Sequence, residues 1–310
     1  MRIVKYKNTH CNIWNSFIDQ SKNGLFFFKT DFLFYHSDRF VDHSLLVFDE
    51  KEELCAVLPA NEKDNIIYSH QGLTFGSLIL SFKTKAKDTL LIFEEIIKYY
   101  KSLGFRKIIY KQIPYHFHKY PAQEDAYALF RQNAVLYRRD ISSVIKLSEW
   151  LGVSSTKKNL INKCRRMEVT IAETDHFDAY WVLLEEVLSK HGTKPAHTIR
   201  EIENLKKIYP YEIRLFEARK DEKLLAGVLV FDFGGTVHTQ YMANSFEGRR
   251  IGALDYVNYY LINEIFAHKE YFSFGISTEE QGWYLNEGLI QQKELLGARG
   301  ICLDFYELTL

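Results

Sequence analysis

The hydrophobic pattern of this chain alternates between two periods. Apolar residues at every second position predict short strands, and apolar residues spaced three and four apart predict amphipathic helices. In the first half these patterns predict, in chain order, the strands SLLVFD, EKEELCAVLPAN and IIYSHQGLTFGSLI, the helix DTLLIFEEIIKYYKSLGF, the strand RKIIYKQIP, the helix QEDAYALFRQNA and the strand VLYRRDISSVI. The first half is therefore expected to be an α/β domain.

The second half repeats this order. It predicts three strands within EIRLFEARKDEKLLAGVLVFDFGGTVHTQYMANS, then the helix GALDYVNYYLINEIF, the strand EYFSFGIST, the helix NEGLIQQKELLGA and the strand GICLDFYEL. Corresponding elements are about 165 residues apart, and a constant offset indicates a tandem duplication. We therefore expect two α/β domains of related fold, residues 1–150 and 151–310, connected through SEWLGVSSTKKNLINKCRRM.

One predicted strand is dense in polar residues and runs into a turn with glycine and arginine, in VHTQYMANSFEGRRIGALD. The first N–H groups of a helix have no partner within it and favour an anion. Arg249 and Arg250 can pair with phosphate oxygens there. The alternative is a solvated turn with two surface arginines. We expect the backbone from Arg249 to Ala253 to begin the helix and to face a cleft.

The same strand supplies a candidate base. Strand alternation predicts His238 and Gln240 on one face and Tyr241 on the other. Histidine can take a proton from an amine near neutral pH, so His238 is the predicted general base. The alternative is a buried histidine whose hydrogen bonds are satisfied by neighbouring groups.

Composition narrows the class of protein. The chain has 310 residues, 46% of them hydrophobic, with 40 basic and 40 acidic residues. This balance gives no support for broad nucleic-acid binding, and DNA is not an expected partner. The four cysteines are scattered and read as reduced thiols. Without a signal-like N-terminus or a long apolar run, we expect a cytoplasmic protein with no transmembrane segment.

Each half has the element order of the GNAT acyltransferase fold. Two such domains in one chain resemble the Fem family of aminoacyltransferases and its acetyltransferase-like relatives in bacterial envelope-sugar clusters. The segments that carry the resemblance are HTQYMANSFEGRRIGALD, FGISTEEQGWYLNEGLIQQKELLGA and IPYHFHKYPAQEDAYALFRQNAVLYRRDISSVI. The resemblance implies two tandem GNAT-like domains, each a mixed central sheet flanked by helices.

The resemblance also implies a donor site in the second half. In GNAT enzymes the strand before the phosphate turn donates an N–H group to the acyl carbonyl, and the turn holds the pyrophosphate of coenzyme A. The family pattern is Q/R-x-x-G-x-G/A, whereas this chain has Leu254 at the last small position. This departure leaves room for another donor. The residues assigned to cofactor binding are Ser245, Arg249, Arg250, Gly252, Ala253 and Asn286.

Polar residues also follow the next strand, where ligands bind in α/β sheets. Ser277 and Thr278 are predicted to bind substrate, and Glu279 or Glu280 to lie across the cleft. In GNAT enzymes a tyrosine in the following helix often protonates the leaving thiolate, and Tyr284 is the positional candidate. With His238 and Glu279 it completes the predicted catalytic set. Asn286 is a helix cap or a cofactor contact.

The loop SKHGTKPAHTIREIENL is predicted to line the acceptor pocket. Lys194, His191 and His197 are its candidate contacts, beside Gln240 and Tyr241 on the strand. Thr198 and Glu201 form a capping box instead.

Three further groups of residues are candidates for binding. His70, Gln71 and Thr74 are candidate acceptor contacts in the first half. His116 and His118, on one predicted strand face, lack a third ligand, so no metal is predicted. The basic run Lys157, Lys158, Lys163, Arg165, Arg166 is a solvated helix face or a contact for a sugar nucleotide or tRNA.

Together these features predict an N-acyltransferase. The acyl group would move from acetyl-CoA or another acyl-CoA, used as a co-substrate with no tightly bound cofactor, to an amine on a nucleotide-linked amino sugar. No activated Cys or Ser is evident, so the attack is expected to be direct. Two alternatives stay open. One is a Fem-like ligase that uses aminoacyl-tRNA, which the absence of a long coiled-coil insertion disfavours. The other is a non-catalytic module that binds a sugar nucleotide or a protein.

Overall fold

A computed structural model describes residues 1–190 and 192–310. The chain forms two compact units. Unit 1 comprises residues 1–140 and 302–310, and unit 2 comprises residues 141–301. The division falls about ten residues before position 150, and the last strand of the chain joins the first unit from Cys302 onward. None of the described helices combines the length and apolar character needed to cross a membrane.

Unit 1 contains the first nine strands and four helices of the described chain, together with the end of the last strand. The strands are β1 (Arg2–Lys5), β2 (Val41–Asp42), β3 (Leu45–Phe48), β4 (Leu54–Leu58), β5 (Asn61–Lys63), β6 (Ile66–Tyr68), β7 (Ile79–Leu80), β8 (Lys107–Lys111) and β9 (Val135–Lys146), which continues into unit 2. The helices are α1 (Cys11–Gln20), α2 (Thr30–Leu33), α3 (Ala86–Ser102) and α4 (Glu124–Arg131). One sheet has the order β1-β3-β4-β7, and β8 pairs with β6 in a second sheet. The apolar sides of α3 and α4 pack against buried residues of these strands and form the core of unit 1.

Unit 2 is built around one sheet of order β10-β11-β12-β13-β14-β9. Its strands are β10 (Thr170–Thr174), β11 (Ile213–Lys220), β12 (Lys223–Asp232), β13 (Thr236–Asn244), β14 (Tyr271–Ile276), β15 (Thr278–Glu279), β16 (Tyr284–Leu285) and the start of β17 (Arg299–Thr309). Its helices are α5 (Ser155–Arg166), α6 (Asp178–Ser189), α7 (Ile199–Ile208), α8 (Phe246–Ile251), α9 (Ala253–Tyr260) and α10 (Glu287–Glu294). The predicted strand and helix order is therefore confirmed.

In each unit, the two parallel strands that precede and follow the long helix are paired at only a few positions. In unit 1, β6 and β8 share three paired positions, and in unit 2, β13 and β14 share three, ending at His238 opposite Ser273. Beyond His238 no pairing joins the two strands in this part of the described sheet. The tandem duplication stays a prediction, which this shared feature supports.

A β-bulge lies in β13 directly after His238 and Thr239. Leu229 on β12 pairs with Tyr241 while Val230 pairs with Thr239, which leaves Gln240 as the extra residue. A bulge shifts the phase of strand alternation. The prediction that Tyr241 faces away from His238 is therefore wrong, because the two side chains lie on the same face.

The turn after β13 also differs from the prediction. Helix α8 begins at Phe246, so Arg249 and Arg250 occupy its last turn and do not begin a helix. The helix breaks at Gly252, whose φ is +83°, and α9 starts at Ala253.

The break at Gly252 is fixed by helix α5. A Cβ on Gly252 would lie 2.6 Å from the Cβ of Leu160. The carbonyl of Ile251 accepts from the Cys164 thiol at 3.2 Å, and the carbonyl of Arg250 accepts from Lys163 Nζ at 3.2 Å. Glycine is required here by backbone conformation and by helix packing, independently of any ligand.

Replacing Gly252 by alanine tests this account. Gly252→Ala combines a left-handed backbone with a clash, and we expect it to lower the free energy of unfolding by about 2–4 kcal/mol. Gly234→Ala is the matched control, because Gly234 has a φ of +88° but no atom within 4 Å of its added Cβ. That variant should cost about 1–2 kcal/mol. Urea denaturation measures both, and equal costs would contradict the packing argument.

Candidate active site

His238 lies where β13 and β14 stop pairing. Its Nδ1 is 3.1 Å from the hydroxyl of Ser273, which is fully buried on β14. The ring also packs against Gly275, where an added Cβ would lie 3.3 Å from Cε1. Burial, with the nearby charge of Lys293, lowers the pKa of His238 from 6.5 to about 4. His238 is therefore a neutral imidazole at pH 7.

Lys293 on α10 is a further candidate site residue, which the sequence did not predict. It is 3% exposed. Its Nζ donates to the carbonyls of Gly275 and Ile276 at 3.0 and 2.7 Å and to the hydroxyl of Ser277 at 2.8 Å. All three partners are neutral, so the ammonium gains no ion pair from them, and burial lowers its pKa from 10.5 to about 8. A lysine on a helix ordinarily indicates a solvated face, so sequence alone gave no signal.

Tyr241 anchors the loop predicted to line the acceptor pocket. Its hydroxyl lies 2.8 Å from His197 Nδ1 and accepts the backbone N–H of Ala196 at 3.0 Å. Gln240 also hydrogen-bonds this hydroxyl, and burial raises the pKa of Tyr241. The structure therefore brings together Gln240, Tyr241 and His197, while Lys194 is exposed and His191 lies outside the described residues.

These groups share one face of the sheet with His238. His238 pairs directly with Phe231 on β12, and Phe231 contacts the His197 ring with centroids 6.3 Å apart. Side chains of directly paired residues lie on the same face. This face of the sheet therefore carries the imidazole of His238 together with the polar groups of Tyr241 and His197. The predicted capping box of Thr198 and Glu201 is confirmed.

Residues 278–285 form a hairpin after β14. Glu279 pairs with Tyr284 across it, and both side chains are exposed. The expectation that Tyr284 lies in a helix is wrong, because the helix begins only at Glu287. Asn286 is the predicted helix cap, accepting the N–H of Leu289 at 3.0 Å. Its Nδ2 donates to Glu279 at 2.7 Å, which holds the base of the hairpin.

The backbone donors expected for a phosphate are already used inside the turn. Ser245 Oγ accepts the N–H of Gly248 at 3.0 Å, and its carbonyl accepts the N–H of Arg249 at 2.9 Å. The N–H of Gly252 donates to the carbonyl of Gly248 at 2.9 Å. The side chain of Leu160 occupies the place where a Cβ on Gly252 would lie. These residues do not fit the pyrophosphate of coenzyme A in the predicted way.

The side chains of Arg249 and Arg250 add to a basic surface carried by helix α5. We call it the basic ridge, and it consists of Lys158, Lys163, Arg165, Arg166, Arg249 and Arg250. The two helices that carry it touch, because Lys163 donates to the carbonyl of Arg250. Lys157 from the same run is buried and pairs with Asp255 at 2.5 Å. Most of the basic run is therefore solvated, as one alternative predicted.

The first-half candidates lie in unit 1. His70 is buried in unit 1, and the backbone N–H and side-chain oxygen of Gln71 bond to Asn61 at 2.7 and 2.8 Å. His116 lies in a short helical turn and not on a strand, which corrects that expectation. Among the described residues no group of three or more His, Cys, Asp or Glu could hold a metal ion.

Comparison with solved structures identifies the fold. The chain is similar to FemX at 10% sequence identity, covering 100% of this chain and 98% of that one with a TM-score of 0.70. It is similar to the C-terminal domain of a putative lysylphosphatidylglycerol synthetase from Agrobacterium fabrum at 13% identity, with 97% and 92% covered and a TM-score of 0.65. A tandem GNAT protein from the clavulanic acid biosynthesis pathway matches at 12% identity, with 99% and 98% covered and a TM-score of 0.54.

These similarities confirm the predicted fold class. The chain has a mixed α/β, tandem GNAT-like fold of the kind found in FemX. No protein-family model and no curated protein sequence matches it. At these identities the similarity concerns the fold, and the chemistry must be argued from the site itself.

The buried charge of Lys293 predicts a dependence of stability on pH. Between about pH 8 and 10.5 the unfolded chain keeps the lysine proton that the folded chain has lost. Stability therefore rises with pH through this window, by up to about 3 kcal/mol from this group. We expect Lys293→Met to lack this rise, measured by urea denaturation at pH 7.5 and 10.

Lys207→Met, which removes an exposed lysine of α7, is the control and should keep the rise. A Lys293→Met profile parallel to that of the parent protein would show that the charge is stabilised by groups other than its three neutral acceptors.

Proposed function

We propose that this protein is an acyltransferase that moves an activated acyl group directly onto an amine. The observation that carries the proposal is the neutral His238 at the point where β13 and β14 diverge, beside Ser273. Where two strands part, their backbone groups lose the ladder partner and need other hydrogen-bond partners. The polar face around His238 provides a place for the acceptor.

In this reaction the amine nitrogen attacks the acyl carbonyl, and the donor's oxygen or sulfur leaves with the electron pair of the broken bond. As the C–N bond forms, the nitrogen becomes a stronger acid and transfers a proton to His238. A pKa of about 4 makes His238 a weak base, but one that is unprotonated whenever the amine is bound at pH 7. The buried ammonium of Lys293 favours the negative charge that develops on the carbonyl oxygen.

The acceptor is proposed to lie on the face shared by His238, Tyr241 and His197. Gln240 and Tyr241 bond to each other, and the bulge places them beside the base. This position supports the predicted substrate roles of Gln240, Tyr241 and His197, and exposed Lys194 lies at the same loop. An amine on a nucleotide-linked amino sugar is the proposed acceptor class.

Two donors are compatible with direct transfer. Acyl-CoA is the donor that the GNAT resemblance implies, yet the turn at Gly252 is closed by Leu160. Aminoacyl-tRNA is the second candidate, and the basic ridge favours it. The two helices that carry its six cationic residues touch at Lys163 and Arg250, and several such cations can neutralise phosphates of a polyanion. Ser277, Thr278 and Asn286 then serve the acyl end, where β14 finishes.

A binding experiment separates the two donors. An RNA minihelix ending in CCA should bind with strong salt dependence, and the Arg249→Ala/Arg250→Ala double variant should reduce the salt slope by about two. Lys98→Ala/Lys101→Ala, which removes two exposed lysines of α3, should leave the slope unchanged. A thermal shift with coenzyme A that disappears in the double arginine variant, without RNA binding, would support acyl-CoA instead.

The role of His238 is tested by turnover. His238→Ala should lower kcat about 100-fold while donor affinity is retained. In the parent protein the acid limb of kcat/KM should have an apparent pKa near 4, far below that of a free histidine, and the variant should lack it. His176→Ala removes an exposed histidine of the same unit and should be silent. Full turnover in His238→Ala would exclude it as the base and leave Glu279 as the next candidate.

A further inference from the structure

Two buried side-chain oxygens lack hydrogen-bond partners beside the point where β13 and β14 part. They are Thr239 Oγ1 and Asn258 Oδ1, and neither finds a partner among the described residues. Thr239 is 5% exposed and Asn258 2%. A buried polar group without a partner costs free energy, so most such groups in proteins are paired. Two of them at one place need an explanation beyond packing.

Both side chains belong to the space between β13 and helix α9. Thr239 pairs with Val230, and Met242 pairs with Val228. Both valines belong to the core that α9 covers. The bulge in β13 lies between Thr239 and Met242, which makes them consecutive on this face, about 7 Å apart along the strand. Asn258 reaches the same stretch from α9, with its Nδ2 3.7 Å from Met242 Sδ.

The orientation of the Asn258 amide is fixed within α9. Its Nδ2 donates to the carbonyl of Leu254 at 3.0 Å, one helical turn earlier. This bond assigns the donor end of the amide and leaves Oδ1 as the end without a partner. A leucine beside the core residues Val257 and Leu261 would occupy a similar volume and bury no polar atom. Packing alone therefore does not explain an asparagine at this position.

Near Thr239, strand pairing no longer separates the α9 side of the sheet from the face that carries His238. Among the described residues, the pairing of β13 with β14 ends at His238, and Thr239 comes next. Consecutive strand residues project to opposite faces. A donor on the α9 side can therefore present its carbonyl between the strands to an amine on the His238 side. Met242, half-buried next to Thr239, has a flexible side chain that can move to admit a ligand.

We propose that Thr239 and Asn258 bind an N–H group that the acyl donor carries close to its reacting carbonyl. This inference rests on the proposed function and assigns the donor to the α9 side of the sheet. Asn258 Oδ1 can only accept a hydrogen bond, and the Thr239 hydroxyl can accept one as well. An unprotonated carboxylate or phosphate has no hydrogen to donate, whereas an amine or an amide has.

Both candidate donors supply such a group. In an aminoacyl ester the α-amine is attached to the carbon next to the carbonyl. In an acyl-CoA the nearest amide N–H lies in the pantetheine arm, a short ethylene link beyond the sulfur. An amine has more than one N–H and can serve both oxygens, whereas a single amide N–H serves one. The α-amine is therefore the better match to a pair of acceptors.

Paired ligands test the proposal by calorimetry. In 3′-alanylamino-3′-deoxyadenosine the α-amine is present, and the 3′-propionylamino counterpart lacks only that group. In the parent protein the amine should tighten binding about 10-fold, because hydrogen bonds to buried oxygens are gained. In Thr239→Val/Asn258→Leu the two ligands should bind equally. Thr170→Val/Asn263→Leu, which changes two exposed residues of unit 2, is the matched control and should keep the full ratio.

Thermal unfolding of the free protein gives an independent readout. Valine has the shape of threonine, and Thr239→Val removes a hydroxyl that has no partner, so its Tm should equal or exceed that of the parent protein. A clearly lower Tm would show that the hydroxyl is already bonded in the free protein, for example to a buried water, and would overturn the proposal. Thr239→Val alone also tests the ligand ratio if Asn258→Leu does not fold.

The source of the N–H group follows from a second pair of ligands, coenzyme A and adenosine 3′,5′-bisphosphate, which lacks the pantetheine arm. If Thr239→Val/Asn258→Leu weakens coenzyme A alone, the site stands and binds the pantetheine amide. If neither pair responds to the substitutions, the proposal is overturned. Binding is measured without turnover, so unchanged ratios together with normal turnover would reject this site and leave the proposed function intact.

Discussion

The short pairing of β13 with β14 is the constraint on which the site depends. After Ser273 the strand β14 is no longer paired with β13. Its pairing with β9 shifts register between Ser273 and Ile276. Backbone carbonyls at a buried strand end need donors, since an unsatisfied one costs about 1–3 kcal/mol. Lys293 supplies these donors, at Gly275 and Ile276. The parting of the strands therefore requires the same buried cation that lies next to the predicted base.

The position of Lys293 near His238 has an electrostatic consequence. Burial lowers the pKa of His238, and the nearby buried ammonium of Lys293 lowers it further because it disfavours a second positive charge, so the ring stays unprotonated. The ammonium equally favours a negative charge that forms at the same place. Attack of a neutral amine on a carbonyl creates such a charge on oxygen, and a fixed cation needs no reorganisation to stabilise it. In the proposed reaction, the side chain that satisfies the end of β14 is therefore also the one that stabilises the developing charge.

The sequence predicted the elements and their caps because both are encoded locally. Thr198 and Asn286 cap helices through side-chain chemistry that acts within three residues. The bulge at Gln240 could not be predicted, because one extra residue in a strand leaves the surrounding pattern almost unchanged. Tyr241 consequently appeared to face away from the site.

Gly252 shows a different limit. A glycine ahead of a helix fits both an open phosphate turn and a tight contact between helices, and only the position of Leu160 decides between them. The sequence around Lys293 does not distinguish a buried lysine from a solvated one. Its three acceptors are backbone and hydroxyl groups that lie 16 to 18 residues earlier in the chain. Contacts of this kind depend on the packing of α10 against β14, and no local pattern records them.

The closed turn and the basic ridge have one common cause. Helix α5 packs on the break between α8 and α9, donating to the carbonyls of Arg250 and Ile251 that the left-handed Gly252 leaves without helical partners. The same contact places Leu160 against Gly252 and brings Lys163 of α5 to the carbonyl of Arg250. Here the positive charge is carried by long side chains on the outer surface, an arrangement suited to a large, ridged polyanion whose phosphates need not enter the fold.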